Sequence, residues 1–519
     1  MKKQSLIFSL SLLALWGQSL MGQTREALPK LVVGITIDQL CTNYVEDFSP
    51  VMGENGFKRL WREGLVYTQG SYDFDNLDGA SAVAAVYTGT SPYVNGIIGE
   101  RWMDRKSLRV VSSVDDKSCK GWFTNDGSSA AKLRVTTLTD ELKVATGGKG
   151  LVCSIAPDRE AAVMAAGHAA DIALWKNDLT GIWCGSEYYG TCPVWVTAFN
   201  RIQQSTPQPS LKSWEPLYTT DKYVPMGYNS AFVPFNYSFE GQNGYRTYKT
   251  TACMNDEMQL VAQNALTNLP LGDDDTPDFL ALTYYAGNYK HQSAAEAPLE
   301  LQDIYVRLDR NIAALLAQID KKVGLANVLI FVTSTGYVDA GKNSDNKFRL
   351  PVGELSMERV TALLNVYLGA LYGKGDYVET SYGTEIYLNR KLAEQKQIDF
   401  SAMLGRAADF LIQMTGIQDV FSANELNSVF TREAQRVRNG FNYTCSGDLS
   451  VQLLPGWRMA DGNDGYETCS RNTSVRFPII YFGKGITAGV KNDALPVSNI
   501  SFSVARMLRI ACPNGNKTR

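Results

Sequence analysis

The sequence predicts an α/β fold, in which helices cover both faces of a mostly parallel central sheet and insertions extend it. The first observation is the apolar run LVVGITIDQL, which begins at Leu31 and is typical of a strand buried on both faces. The second is a set of similar runs at 150–156, 278–285 and 327–337. The third is the segment 300–324, whose apolar residues share one helical face. Strand, long helix and strand together predict a right-handed βαβ unit.

Length and composition are those of an ordinary globular protein. The chain has 519 residues, of which 45% are hydrophobic and 20% are charged. It can therefore form one large domain with insertions, or two domains, around a sizeable core. The net charge of -3 argues against nucleic acid or an acidic membrane surface as a partner.

The N-terminus predicts export. Lys2 and Lys3 precede the apolar run LIFSLSLLALW, and small or polar residues follow at 19–23, a pattern typical of a secretory signal peptide over residues 1–22. No cysteine stands directly after the apolar run, in residues 17–23, which argues against a lipoprotein anchor. No later window approaches the roughly 18 apolar residues of a membrane helix. We expect residues 23–519 to be exported, in the periplasm or associated with the outer membrane, without a membrane span.

The nine cysteines all follow the predicted signal peptide. In an oxidising compartment Cys184 could pair with Cys192, or Cys445 with Cys469, because each pair is close in sequence. The odd count leaves at least one thiol unpaired within the chain. No CxxC spacing occurs, which argues against a cysteine zinc cluster.

Two insertions are predicted, at about 185–250 and 350–430. Much of the first is rich in Tyr, Pro, Asn and Gly without a helical period, and its aromatic content predicts packing against the sheet. An aromatic surface segment without a ligand is favoured over a binding site. The second insertion is predicted to hold two helices and an edge strand, in MERVTALLNVYLGALYG and then EIYLN, followed by another helix in AMLGRAADFLIQM.

Asp38 ends the first predicted strand, where an aspartate either binds a metal or substrate or caps the following segment. Further along, DNLDGASAVAAVYTGTSPYVNGIIG places Gly79, Thr88-Gly89, Pro92 and Gly96-Ile97-Ile98 in that order. This arrangement resembles the alkaline phosphatase superfamily, in particular its type I phosphodiesterase and nucleotide pyrophosphatase branch and the phosphate-irrepressible alkaline phosphatases of Bacteroidetes. The resemblance runs from about Lys30 to the end of the chain.

The resemblance implies two zinc ions that clamp the attacking and leaving oxygens of a phosphoryl transfer. Each zinc needs at least three protein ligands, which the family takes from Asp and His residues at strand ends. Asp38 matches the first of these aspartates, and His291 matches the histidine of an Asp-x-x-x-His motif. The aspartate of that motif falls on Gly287.

The remaining implied ligands are absent from the sequence. The family's Asp-His pair falls on Thr335 and Gly336, and its last histidine falls on Arg476, two residues before Pro478. Arg476 is hypothesised to supply the positive charge that a metal would provide, which would keep Asp38 paired.

The nucleophile and phosphate contacts implied by the resemblance are also altered. The attacking threonine falls on Gly79, which has no side chain, and Ser81 could replace it only after a shift of two residues. The phosphate-binding asparagine falls on Glu100, whose charge would repel a phosphate. Of the family's Lys and Arg contacts, the lysine falls on Pro157, and Arg159 is kept as a vestigial phosphate contact.

The number of histidines by itself argues against the zinc site that the resemblance implies. The whole chain contains two histidines, His168 and His291, so a site that needs three cannot be built. His168 matches an Ala-Gly-His segment of the family and is expected to satisfy a local hydrogen bond.

The sequence therefore predicts an exported pseudo-phosphatase that has lost its nucleophile and most zinc ligands and carries no cofactor. Such a protein would act as a binding or structural component of the cell envelope, with an unidentified envelope protein or ligand as its partner. The alternative is an active metal-dependent phosphomonoesterase or phosphodiesterase with an atypical site, in which oxygen ligands hold Mg²⁺ or Ca²⁺ and Ser81 attacks.

Overall fold

The computed structural model describes residues 27–205, 213–226, 232–239, 244–292, 294–339, 353–428, 431–460 and 472–515. The predicted signal peptide, residues 1–22, lies outside the described residues. The strands are β1 (Leu31–Asp38), β2 (Leu65–Ser71), β3 (Arg101–Asp104), β4 (Arg109–Ser112), β5 (Gly121–Trp122), β6 (Val152–Ala156), β7 (Ile172–Lys176), β8 (Trp183–Ser186), β9 (Ser213–Trp214), β10 (Tyr237–Ser238), β11 (Asp278–Tyr285), β12 (Val328–Ser334), β13 (Tyr337–Asp339), β14 (Gly353–Leu355), β15 (Val378–Tyr382), β16 (Glu385–Leu388), β17 (Ile417–Ser422), β18 (Leu449–Leu453), β19 (Trp457–Met459), β20 (Asn472–Ser474), β21 (Ile479–Gly483) and β22 (Gly489–Pro496).

The helices alternate with these strands through most of the chain. They are α1 (Thr42–Phe48), α2 (Phe57–Glu63), α3 (Gly79–Thr88), α4 (Pro92–Asn95), α5 (Leu138–Ala145), α6 (Arg159–Ala166), α7 (Val194–Ser205), α8 (Gly244–Lys249), α9 (Ala252–Asn268), α10 (Pro298–Lys322), α11 (Met357–Tyr372), α12 (Arg390–Gln395), α13 (Phe400–Leu411), α14 (Arg432–Gly440) and α15 (Ser498–Leu508). Within the described part of the chain, no helix is both long enough and apolar enough to cross a bilayer.

The central sheet has ten strands in the order β22-β2-β21-β12-β1-β11-β6-β7-β8-β5. Strand β1 lies in the middle and pairs in parallel with β11 on one side and β12 on the other. The predicted α/β class is therefore confirmed, and β11, α10 and β12 form the predicted strand, helix and strand. Antiparallel pairing occurs where β21 meets β12 and β2, and where β8 meets β7.

Both faces of the sheet are covered, which explains the continuous apolar strands. All residues from Leu31 to Ile37 are buried. One face packs against α9, α10 and the aromatic residues of the first insertion, and the other packs against α3, α6 and α15. Gly34 marks the closest approach, because a Cβ atom there would lie 2.6 Å from the Phe331 ring and 2.7 Å from the Tyr87 hydroxyl.

The second insertion forms its own layer. A four-stranded sheet in the order β15-β16-β18-β17 packs with α11 and α13 around a separate small core. Because β18 completes this sheet, the layer extends beyond residue 430. The prediction of EIYLN as an edge strand was wrong: β16 lies between β15 and β18, since Glu385 and Ile386 pair with the distant strand β18.

No disulfide joins Cys184 and Cys192, one of the pairings that their spacing allows. Both are free thiols, because Cys184 is buried in β8 and its thiol contacts the backbone oxygens of Phe123 and Ile182. Cys445 is also a free buried thiol, while Cys469 lies outside the described residues.

Candidate functional site

The carboxyl ends of β1, β11 and β12 lie side by side and form the base of the candidate site. Asp38, the last residue of β1, is in register with Tyr285 at the end of β11. Thr335 directly follows β12. Ligands of open α/β sheets bind at this edge, so the position agrees with the site implied by the resemblance.

Asp38 receives a hydrogen bond from a neutral side chain. The Thr335 hydroxyl donates to Asp38 Oδ1 at 2.7 Å, and it accepts the backbone N–H of Gln39 at 2.9 Å. Burial, with the nearby Asp38 charge, raises the pKa of Tyr72 well above its usual value, and the Tyr72 hydroxyl donates to the backbone oxygen of Ser334. A hydroxyl thus occupies the position where the family carries the aspartate of its Asp-His pair.

The N-terminus of α3 forms a complete capping box. Asp78 is the N-cap, and its Oδ1 accepts the backbone N–H of Ser81 at 2.8 Å. The Ser81 hydroxyl donates to the same oxygen at 2.8 Å and accepts the Asp78 backbone N–H at 3.1 Å. Ser81 is fully buried. Its hydroxyl therefore has a structural role at the helix start, which argues against Ser81 as the replacement nucleophile.

Gly79, the first residue of α3, faces the carboxyl group of Glu100. A Cβ atom added to Gly79 would lie 2.9 Å from Glu100 Oε1. The backbone N–H of Glu100 donates to Asp78 Oδ2 at 2.5 Å, which holds Glu100 against the helix start. The space beside the nucleophile position is thus taken by a carboxyl group.

The carboxyl groups of Asp78 and Glu100 are poor places for additional negative charge. Burial raises the pKa of Glu100 well above its usual value, and the charges of Asp78 and Glu160 raise it further. Burial also raises the pKa of Asp78. A helix N-terminus ordinarily favours an anion, and here the protein supplies that anion itself through the cap.

The raised pKa of Glu100 predicts a pH-dependent loss of stability. Because the folded-state pKa exceeds the unfolded one, the stabilisation is complete below the unfolded pKa and is lost as the pH rises through the folded pKa. Because glutamine stays neutral, the stability of Glu100→Gln relative to wild type should increase as the pH rises. We expect its free energy of unfolding to exceed that of wild type by about 1–2 kcal/mol at pH 8, with little difference at pH 4, in urea titrations.

Asp116→Asn is the matched control, for which the expected change in stability at high pH has the opposite sign. Hydrogen bonds from Ser118 and Ser129 lower the pKa of Asp116 to about 2, so its stabilisation is present at neutral pH and lost in acid. The asparagine variant should therefore be less stable than wild type at pH 8. A Glu100→Gln variant whose stability relative to wild type stays constant from pH 4 to pH 8 would contradict the proposed burial of the Glu100 charge.

Arg159, the one matching phosphate contact, is engaged by protein carboxylates. Its guanidinium Nη2 lies 2.9 Å from Asp115 Oδ1 and 3.1 Å from Glu160 Oε1. Glu160 also accepts the Ser112 hydroxyl at 2.6 Å. Beside it, Asp158 pairs with Lys249 at 2.9 Å. The positive charge that the family offers to phosphate is thus used here within the protein.

His168 satisfies local hydrogen bonds, as the sequence predicts. Its Nδ1 lies 2.9 Å from Asp140 Oδ2, and its Nε2 lies 3.0 Å from the backbone oxygen of Leu133. The hydrogen bond with Asp140 raises the pKa of His168. Both ring nitrogens are therefore occupied in the layer of α5 and α6.

His291 lies near the expected strand end, and glycine stands at position 287, where the resemblance implies an aspartate. It closes the turn Tyr289–His291 after β11, with a φ of 55° in the left-handed region. A Cβ atom at Gly287, the position of the missing aspartate, would lie 2.5 Å from the hydroxyl of Tyr285. A side chain there would have to displace that ring.

Arg476 is exposed at the same edge and pairs with another carboxylate. Its Nη2 lies 2.6 Å from Glu46 Oε1, and its backbone oxygen accepts the N–H of Thr42 at 2.8 Å. The structure thus gives Arg476 an ion pair with Glu46, whereas the hypothesis from the sequence assigned its charge to Asp38.

The residues present do not fit two zinc ions. Among the described residues, no group of three or more His, Cys, Asp or Glu side chains is arranged to hold a metal ion. The chain has two histidines, and His168 is hydrogen-bonded at both ring nitrogens. Thr335 and Gly336 stand where the resemblance implies ligands.

Two carboxylates that shape this site, Asp78 and Glu160, were not among the residues predicted from the sequence. Asp78 carries a usable signal, since Asp-x-x-Ser before the small apolar run of α3 is a capping pattern. Glu160 carries no such signal, because its contact with Ser112, 48 residues earlier, depends on how separate segments pack.

The chain matches the family model "Type I phosphodiesterase / nucleotide pyrophosphatase" over residues 32–473. It belongs to this family, a branch of the alkaline phosphatase superfamily. A protein of Myroides odoratus named calcium-transporting ATPase is 29% identical, over 94% of this chain and 93% of its own length. The alkaline phosphatase PhoV of Synechococcus elongatus is 28% identical, over 94% of this chain and 92% of its own length.

A solved structure supports the fold independently. The crystal structure of wild-type alkaline phosphatase PafA superposes with a TM-score of 0.80 at 24% identity, over 94% of this chain and 97% of that chain. The architecture predicted from the apolar runs is therefore that of an alkaline phosphatase.

Proposed function

We propose that this protein is a non-catalytic member of its family, exported to the cell envelope, where it acts as a binding or structural component. The family is one of phosphoric ester hydrolases, and the relatives named above include an alkaline phosphatase. The proposal concerns whether the altered site of this chain can still bind metal and hydrolyse a phosphate ester.

The proposal rests on the side chains at the strand ends that could serve as metal ligands. Two zinc ions need at least three protein ligands each, and imidazole and carboxylate groups normally supply them. Here Asp38 accepts a hydroxyl hydrogen bond from Thr335, and Gly287 removes the carboxylate that would accompany His291. A second histidine, His168, is held by Asp140 in another layer.

The nucleophile position supports the same conclusion. Gly79 has no attacking group, and Glu100 lies where a side chain at Gly79 would point. An ionised carboxylate at this place would repel an incoming phosphate group, because like charges repel at short range. Ser81 is buried in the capping box, so its hydroxyl serves α3.

Metal content and ester hydrolysis together test the proposal. Wild-type protein purified in the presence of zinc should contain far less than one zinc per chain by plasma mass spectrometry. It should show no EDTA-sensitive hydrolysis of p-nitrophenyl phosphate or bis(p-nitrophenyl) phosphate. PhoV of Synechococcus elongatus, named an alkaline phosphatase, is the positive control for both measurements.

Two outcomes would overturn the proposal. One is stoichiometric zinc together with hydrolysis that EDTA abolishes. The other is hydrolysis that depends on Mg²⁺ or Ca²⁺ and is lost in Ser81→Ala, which would establish the alternative of an atypical active site. Gly79→Thr is a further check, since we expect a threonine beside Glu100 to leave the protein inactive in both assays.

A further inference from the structure

An apolar stripe runs along the outer face of α11. The inner face of this helix is a conventional core, because Val360, Leu364 and Leu368 are buried against β15 and α13. The outer stripe consists of small and large apolar residues at helical spacing: Ala362, Leu363, Val366, Gly369 and Ala370. Val366 is 71% exposed and Leu363 is 46% exposed. A helix that is apolar on both faces normally has a partner on each.

Gly369 leaves an open position within the stripe. Glycine in the middle of a helix is unfavourable relative to alanine. A Cβ atom at Gly369 would have no neighbour within 4 Å, so nothing within the described protein requires a glycine there. A backbone or large side chain of another molecule, packed against this position, would require one.

The stripe is complementary to a second copy of itself. In an antiparallel pair with its two-fold axis at Val366, each residue faces the one equally far on the other side of Val366. Leu363 then faces Gly369 of the other copy, so a large side chain meets the empty position. Ala362 faces Ala370 in the same way.

The charges at the two ends of α11 match this arrangement. Glu358, in the first turn, lies eight residues before Val366, and Lys374, just past the helix end, lies eight residues after it; both are exposed. At 1.5 Å per residue Glu358 is about 12 Å along the helix axis from Val366, and Lys374 follows the last turn at the other end of the helix. An antiparallel pair therefore brings Glu358 of one copy to the helix end that carries Lys374 of the other. Within the described residues, neither side chain forms an ion pair. The symmetric pair would contain this interaction twice.

We propose that the chain associates as a symmetric homodimer through antiparallel packing of α11. The apolar stripe supplies the centre of the interface, and Glu358 with Lys374 sets its direction and register. Stable interfaces bury about 800 Å² per partner, and a single helix face supplies less, so we expect a dimer of roughly micromolar affinity or weaker.

Sedimentation velocity of the full-length protein tests this. Wild type should shift from monomer to dimer between about 1 μM and 1 mM. Val366→Asp places two carboxylates together at the axis and should raise the dissociation constant at least about tenfold, because like charges in an interface repel. Val144→Asp, at a residue of α5 that is 74% exposed, is the matched control and should leave association unchanged.

Charge reversal separates self-association from any other occupant of the stripe. Glu358→Lys and Lys374→Glu should each weaken the dimer, and the double variant should restore it, because the pair is reformed with opposite signs. Gly369→Ala should raise the melting temperature of the monomer but weaken the dimer. A wild type that stays monomeric at 1 mM, or that binds lipid vesicles as a monomer, would overturn the proposal. So would a double variant no tighter than the single variants.

Discussion

Replacing Asp303 by alanine is expected to lower the free energy of unfolding by about 3–5 kcal/mol. Asp303 lies on α10, is fully buried and accepts four hydrogen bonds. The donors are Trp214 Nε1 at 2.7 Å, the Leu217 N–H at 2.8 Å, the Tyr223 hydroxyl at 2.5 Å and Arg307 Nε at 2.9 Å. Alanine would leave these donors buried without their acceptor.

The loss would extend to the candidate site, because Asp303 holds the first insertion against the sheet. Trp214 packs edge to face on Tyr289, whose turn carries His291. We therefore expect Asp303→Ala to shift tryptophan fluorescence towards the solvent-exposed value, in addition to lowering the urea midpoint.

Asp303→Asn and Arg310→Ala are the comparison variants for this prediction. The asparagine keeps one acceptor oxygen but turns an N–H₂ group towards the donors. Its free energy of unfolding should therefore lie between those of wild type and the alanine variant. Arg310, exposed on the same helix, should tolerate alanine. An Asp303→Ala protein within about 1 kcal/mol of wild type would contradict this account of the insertion.

Asp448→Ala should be similarly destabilising, by about 3–5 kcal/mol, because it removes a buried carboxylate between two arginines. Asp448 is fully buried, and its oxygens lie 3.1 Å from Arg105 Nη1 and 2.6 Å from Arg390 Nη2. It also accepts the Leu388 N–H at 2.8 Å. Arg105 belongs to the loop after β3, so this carboxylate ties the β3–β4 hairpin to the second sheet.

Calorimetry and limited proteolysis measure this coupling. Loss of Asp448 should lower the melting temperature and expose the second sheet to protease before the central sheet. Asp409→Ala, an exposed aspartate on α13 of the same layer, is the control and should change stability by less than about 0.5 kcal/mol. An unchanged proteolysis pattern in Asp448→Ala would show that the two layers are held together by other contacts.

The main elements of the fold were predictable because their patterns are local. The apolar runs at β1, β6, β11 and β12 and the periodicity of α10 follow from burial on two faces or on one. The order of the strands was harder to predict from the sequence. EIYLN is polar enough to suggest an edge, yet β16 is an inner strand because β18, more than 60 residues later, pairs with it.

The sequence alone determined which chemical groups exist. It contains two histidines and has glycine at positions 79 and 287, and no fold can add imidazoles or side chains that the chain lacks. The shortage of zinc ligands therefore follows from the sequence itself.

Only the tertiary structure decided which charges meet. Glu100 lies against Gly79, Arg159 is held by Asp115 and Glu160, and Arg476 pairs with Glu46. Most of these partners are separated by many residues, and the strength of a charge interaction depends on distance and burial, which follow from the packing of whole elements. Composition therefore limits the chemistry of this protein, and packing decides what its remaining charged groups do.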